Sequence, residues 1–164
     1  MTLFGRKKSP TISFAKRLEA YAPYLVATAW DFTERSPEIA KLWIYATVVK
    51  RRLLVEPVFK VEGKIHTCEE LGEAFPHTST NATEDLKDDL GNLLDSWLTQ
   101  VRKDPHPTHM VLAFTPDIEA LDANFSYAPL EVVEEIEGLD PTQVIFKKWL
   151  ERLRITGDDS PDLN

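Results

Sequence analysis

The run Leu42-Trp43-Ile44-Tyr45-Ala46-Thr47-Val48-Val49 constrains the fold more than any other part of the chain. Its β-branched and aromatic side chains crowd the backbone at Cβ, which favours a pleated strand, and no apolar stripe at helical spacing runs through it. Lys50-Arg51-Arg52 makes a polar turn. Leu53 to Val61 then reads as a second strand, so the two segments are expected as antiparallel neighbours. Pro57 has no amide proton and marks an edge position or a bulge in that strand. Glu62-Gly63-Lys64 is a turn, and Ile65 to Cys68 adds a short third strand.

Helical periods flank this pair. Phe14, Leu18, Tyr21, Leu25, Ala29 and Phe32 recur at helical spacing, and Pro23 inside the pattern predicts a kink or two consecutive helices. Ser36-Pro37 ends it. Residues 69–82 are irregular. Asn81 and Glu84 have the spacing of a capping pair. Leu86, Leu90, Leu93, Leu94, Trp97, Leu98 and Val101 follow as one stripe, predicting a helix over Glu84–Arg102 that Pro105 and Pro107 stop. Leu90, Leu94 and Trp97 are its expected core contacts.

Met110 to Phe114 and Phe125 to Tyr127 read as strands around an acidic turn, Asp117 to Asp122. Leu130 to Ile136 fits a strand or a short helix equally. Asp140 before Pro141 is a helix start, with Val144, Ile145, Trp149 and Leu153 as the apolar face and Gly157 as the stop. The 164 residues amount to one domain. Helix, strands, helix, strands, helix predicts an α+β domain over 11–157, an antiparallel sheet with helices packed on one face. A flexible leader, 1–10, and a frayed tail, 158–164, are expected to flank it.

Charge is unevenly distributed. Residues 1–68 hold 12 basic and 6 acidic side chains, whereas residues 69–140 hold 17 acids against Lys87, Arg102 and Lys103. Such a segment repels itself unless cations lie nearby, so it either packs beside the basic first segment or offers an acidic face to a basic partner. Direct nucleic-acid binding is disfavoured, because phosphate contacts need clustered Lys and Arg. Arg6-Lys7-Lys8 reads as a solvated end. Two groups stand out as partner-binding candidates: Asp88 and Asp95 on the back of the long helix, and Asp117, Glu119 and Asp122 in the turn. The turn is favoured because loops carry recognition. No run approaches the roughly 18 apolar residues of a membrane span, and Cys68, the one cysteine, allows no internal disulfide. A soluble cytoplasmic protein is expected.

Catalytic signatures are weak. His106 and His109 are separated by Pro107 and lack the further ligands zinc needs, so a solvated loop is the expected setting. His66 and Cys68 fall on one face of a strand, where a nucleophile pair competes with a small buried hydrophobe. His77 has no visible partner. The scattered glycines form no phosphate loop, and no nucleophile elbow occurs. Trp30, Trp43, Trp97 and Trp149 fit a core better than a ligand cage. No catalytic residue, metal or cofactor is expected.

Leu42-Trp43-Ile44-Tyr45, then Val58 to Lys64, the Leu86–Val101 helix, Phe125-Ser126-Tyr127 and Trp149 together resemble the YezG-like (DUF600-type) immunity proteins of bacterial toxin systems. The resemblance spans residues 14–130. It implies a non-enzymatic inhibitor of a nuclease-type toxin made by the same cell, whose basic groove an acidic partner would occupy. It does not say which residues touch the toxin. The alternative class is an acidic secretion chaperone, commonly dimeric, that holds an extended effector segment through exposed apolar patches.

Overall fold

The computed structural model describes residues 14–49, 52–75, 80–95, 107–128 and 140–162. Strands β1 (Ile39–Val49), β2 (Arg52–Val61), β3 (Lys64–Thr67), β4 (His109–Thr115) and β5 (Ala120–Ser126) form one antiparallel sheet in the order β3-β2-β1-β4-β5. Three α-helices are described: α1 (Phe14–Phe32), α2 (Thr80–Leu93) and α3 (Pro141–Thr156). The α+β class and the pairing of β1 with β2 follow the expectation.

The placement of the helices does not. β1 alternates its buried side chains between two cores. Leu42, Ile44, Ala46 and Val48 pack with α1 and α2, whereas Trp43 and Tyr45 pack with Ile145, Phe146, Trp149 and Leu153 of α3. Helices therefore cover both faces. The physical cause is the unbroken apolar run of β1, which needs cover on each side.

Pro23 lies within a single helix, on its exposed side, where water can reach the carbonyl its ring deprives of a donor. The buried stripe of α1 is Leu18, Ala22, Leu25, Val26 and Ala29, and Tyr21 sits partly outside it. Asn81 is inside α2 rather than capping it, since that helix starts at Thr80. Leu90 and Leu94 are fully buried as expected. Trp97 and the rest of the anticipated helix to Arg102 lie outside the described residues. So do the leader, His77, His106, Leu130–Ile136 and Lys50-Arg51.

Strand β2 bonds to β1 through its even-numbered residues, which turns the nitrogen of Pro57 away from β1. The β3 ladder ends at Val58↔Thr67, so Pro57 faces an edge, and the register irregularity lies at Ile39/Lys41 instead. Glu62 and Gly63 both have positive φ, the geometry of a tight two-residue hairpin between Val61 and Lys64.

After Gly157 the chain is not frayed. Trp43 Nε1 donates to Asp159 Oδ2 (2.9 Å), Trp149 Nε1 to the Asp159 carbonyl (3.2 Å), and Arg152 to the carbonyls of Ser160 and Asp162. Two buried indoles need acceptors, and this segment supplies them. Residues 163–164 lie outside the described residues.

Candidate functional site

The hairpin that joins β4 to β5 closes through a short 3-10 turn, Pro116–Ile118, with the Glu119 amide bonded to the Pro116 carbonyl (3.1 Å). Glu119 adopts the left-handed conformation that ends the turn (φ 49°), an uncommon one for a residue with a β-carbon. Asp117 and Glu119 are exposed at this tip, and Ile118 between them is 72% exposed. Asp122 is not part of the turn. It sits in β5 opposite Ala113, whose side chain belongs to the α3-side core, so Asp122 projects on that face of the sheet and is exposed.

Asp88 and Asp95 are also exposed, but elsewhere. Helix α2 packs against α1 and β2, whereas the hairpin lies on the opposite side of β1 and contacts α1 through β5. The structure thus brings Asp117, Glu119 and Asp122 onto one hairpin and leaves Asp88 and Asp95 on a separate surface.

No cation pairs with these five acids among the described residues. Among the described residues, ion pairs join Arg35 to Asp31, Lys41 to Asp159, Arg52 to Asp140, Arg152 to Asp158, Arg154 to Glu70, and Lys87 to Glu56 and Glu69. None of those pairs involves Asp88, Asp95, Asp117, Glu119 or Asp122. Among the described residues, basic side chains of the first segment meet acids at Asp31, at Asp140 (the last acid of the 69–140 segment) and at Asp159, so the first segment neutralises that acidic segment only at its far end. The acids of the hairpin stay solvated.

Sequence reasoning missed an ionic cluster at the edge of β2. Glu56 points to the α3 face, where Gln143 Nε2 is 3.4 Å away, and Lys87 Nζ reaches it at 3.0 Å from α2, past the end of β3. Lys87 also donates to Glu69, and Cys68 Sγ contacts Glu69 Oε2 (3.5 Å). Burial raises the Glu56 carboxyl above its usual range, and Lys87 opposes the shift without cancelling it. Burial is the largest single influence on Glu69 and would raise it, but the hydrogen bond from Lys87, a backbone hydrogen bond and the Lys87 charge together outweigh it and hold that carboxyl low. The two carboxylates in turn hold the Lys87 ammonium protonated against its own desolvation.

Glu56, Cys68 and Glu69 present ligand atoms within 4.8 Å of one another, a set that a cation suits. The Lys87 ammonium already bonds to both carboxylates of that set. Burial, then the Glu69 charge, pushes the Cys68 thiol up, which keeps it protonated and a poor nucleophile. Its partner is Glu69, not His66.

His109 is not in a solvated loop. It opens β4, is buried, and its Nδ1 lies 2.8 Å from Tyr45 Oη. Burial lowers the imidazole from 6.5 to about 4, only partly offset by the charge of Asp162. Tyr45 is raised by burial as well, so both rings are neutral near pH 7. The signal that could have found this pair is the alternation of β1, which puts Tyr45 on the same face as Trp43.

No protein-family model and no curated protein matches the sequence. Among the described residues, no helix is long and apolar enough to cross a membrane.

Proposed function

We propose that this chain is an immunity protein that blocks a cognate nuclease-type toxin by presenting the acidic β4–β5 hairpin to the toxin's basic groove. The observation that carries the reading is the exposure of Asp117, Glu119 and Asp122 on one hairpin with no cation beside them among the described residues. Unpaired acids in a folded protein cost stability through mutual repulsion, and they repay it in fast association with a cationic surface. Exposed Ile118 at the tip adds an apolar contact of the kind that anchors an interface within a polar rim. The likeness of Leu42–Tyr45, Val58–Lys64 and Phe125–Tyr127 to YezG-like immunity proteins supports the same reading.

A secretion chaperone would hold its effector on continuous apolar surface. Among the described residues, the exposed large apolar side chains are dispersed: Tyr21 and Tyr24 on α1, Ile118 at the hairpin, Tyr127 after β5 and Ile155 at the end of α3. That dispersal favours the acidic mode. The test is to purify the polypeptide encoded next to this chain and titrate the two together. Stoichiometric loss of nuclease activity supports the proposal. Stable capture of an extended, inactive effector segment replaces it with the chaperone.

A further inference from the structure

The two edges of the sheet are treated differently. At one edge, β3 turns Ile65 and Thr67 outward, and side chains cap both. The Ile65 carbonyl takes Arg154 (2.9 Å), and the Thr67 amide donates to Glu70 (2.9 Å), the carboxylate that pairs with Arg154. At the other edge, the Thr108 amide bonds to the Ser126 carbonyl (2.8 Å) and the Thr108 carbonyl takes the Val48 amide (3.4 Å). That peptide therefore points the His109 amide at β5, and the alternation of the ladder follows from it. Ala120, Asp122, Asn124 and Ser126 bond back to β4, while the amides and carbonyls of Leu121, Ala123 and Phe125 point outward. Among the described residues nothing caps them.

We infer that the open edge of β5 receives an extended, basic segment of the partner as a sixth strand. An uncapped edge is a template for strand addition, and proteins usually protect such edges as this chain protects β3. Charge selects the occupant. Asp117 and Glu119 stand at one end of β5, Asp122 lies within it, and its other end opens on a groove of about 560 Å³ lined by Tyr127, Asp158 and Asp162. A strand carrying Lys or Arg is attracted at the hairpin end and at Asp122, whereas Asp158 in the groove already pairs with Arg152. A second copy of this chain would set the same acids against each other. The inference rests on the proposed acidic hairpin and specifies how its partner is held.

The experiment uses the full chain, isotope-labelled, and a blocked synthetic peptide of alternating lysine and valine about as long as β5. Binding should slow hydrogen exchange at Leu121, Ala123 and Phe125 by at least about tenfold, the loss of one backbone bond being worth roughly that factor. The same peptide methylated at every backbone nitrogen keeps its charge and should bind at least about tenfold more weakly. Ala123→Pro removes an outward donor without touching a bond to β4, so it should fold and lose the peptide. Equal binding of the two peptides, or unchanged binding by folded A123P, overturns strand addition and leaves the acidic hairpin standing. Concentration-dependent protection of the edge without peptide overturns it in favour of self-pairing. Failure to inhibit the neighbouring nuclease, by contrast, strikes the functional proposal and not the edge.

Discussion

Replacing Lys87 with methionine isolates the ionic cluster at the edge of β2. Methionine keeps most of the aliphatic stem and deletes the ammonium. Glu69 is half exposed and recovers water, so the cost falls on Glu56, whose side chain is 3% exposed. Gln143 remains at 3.4 Å, too long to replace an ion pair. Removing one partner of a buried pair costs about 3–5 kcal/mol, and for a chain of this size that lowers Tm by roughly 6–20 °C. The sign of the pH dependence is a second check. Glu56 is already raised by burial, and without Lys87 it rises further, so the folded variant binds this proton more tightly than the unfolded chain does. The penalty is then fully present near neutral pH and shrinks as pH falls towards the raised carboxyl. Adding Glu56→Gln should restore most of the loss at neutral pH. Thermal and denaturant unfolding of the single and double variants across this pH range decide it. A K87M loss below about 1 kcal/mol, or one independent of pH, contradicts the reasoning.

Three further outcomes follow from the packing. Leu94→Ala, at a fully buried position beneath α1 and α2, should cost about 2–5 kcal/mol in a urea titration. Deleting residues 158–164 leaves the Trp43 and Trp149 indoles without acceptors and should cost about 2–4 kcal/mol, with a rise in tryptophan accessibility to a fluorescence quencher. His109 has a folded value of about 4 against 6.5, so the unfolded chain binds the extra proton. Its contribution is complete above about 6.5 and is lost as pH falls towards 4, on the order of 3 kcal/mol in all, and His109→Phe should flatten that part of the stability profile.

Strands β1 and β2 were legible because their signal is local, whereas β5 runs over Ala120–Ser126 and the expected strand Phe125–Tyr127 met only its end. β-branched and aromatic density located β1 and β2, and the reading of Leu53 to Val61 placed β2 within one residue of its start. The second helical layer was not legible from period alone. Trp43 and Tyr45 look the same in sequence whether their face is covered by a helix or by solvent, and only the packing of α3 shows that β1 is sandwiched. Asp122 was read as turn because acids cluster there, yet the tight 3-10 closure at Pro116 returns the chain to the sheet by Ala120. The Glu56–Lys87 pair was invisible for a different reason. Its members are 31 positions apart, on different elements, and no spacing rule joins them. The candidate acids were found by charge balance, which says how many are unmatched but not which share a surface. Geometry separated the hairpin group from Asp88 and Asp95.

The central claim is that the hairpin steers a basic partner. The most direct measurement is the association rate with the cognate nuclease domain, at low and at high salt, for the native chain and for the triple variant Asp117→Lys, Glu119→Lys, Asp122→Lys. Electrostatic steering falls steeply once the screening length, about 8–10 Å at physiological ionic strength, is shorter than the approach distance. The account predicts that the native chain associates fast with a steep salt slope, and that the variant is slower by about tenfold or more at low salt with a shallow slope. Equal rates and equal slopes for the two proteins would contradict it.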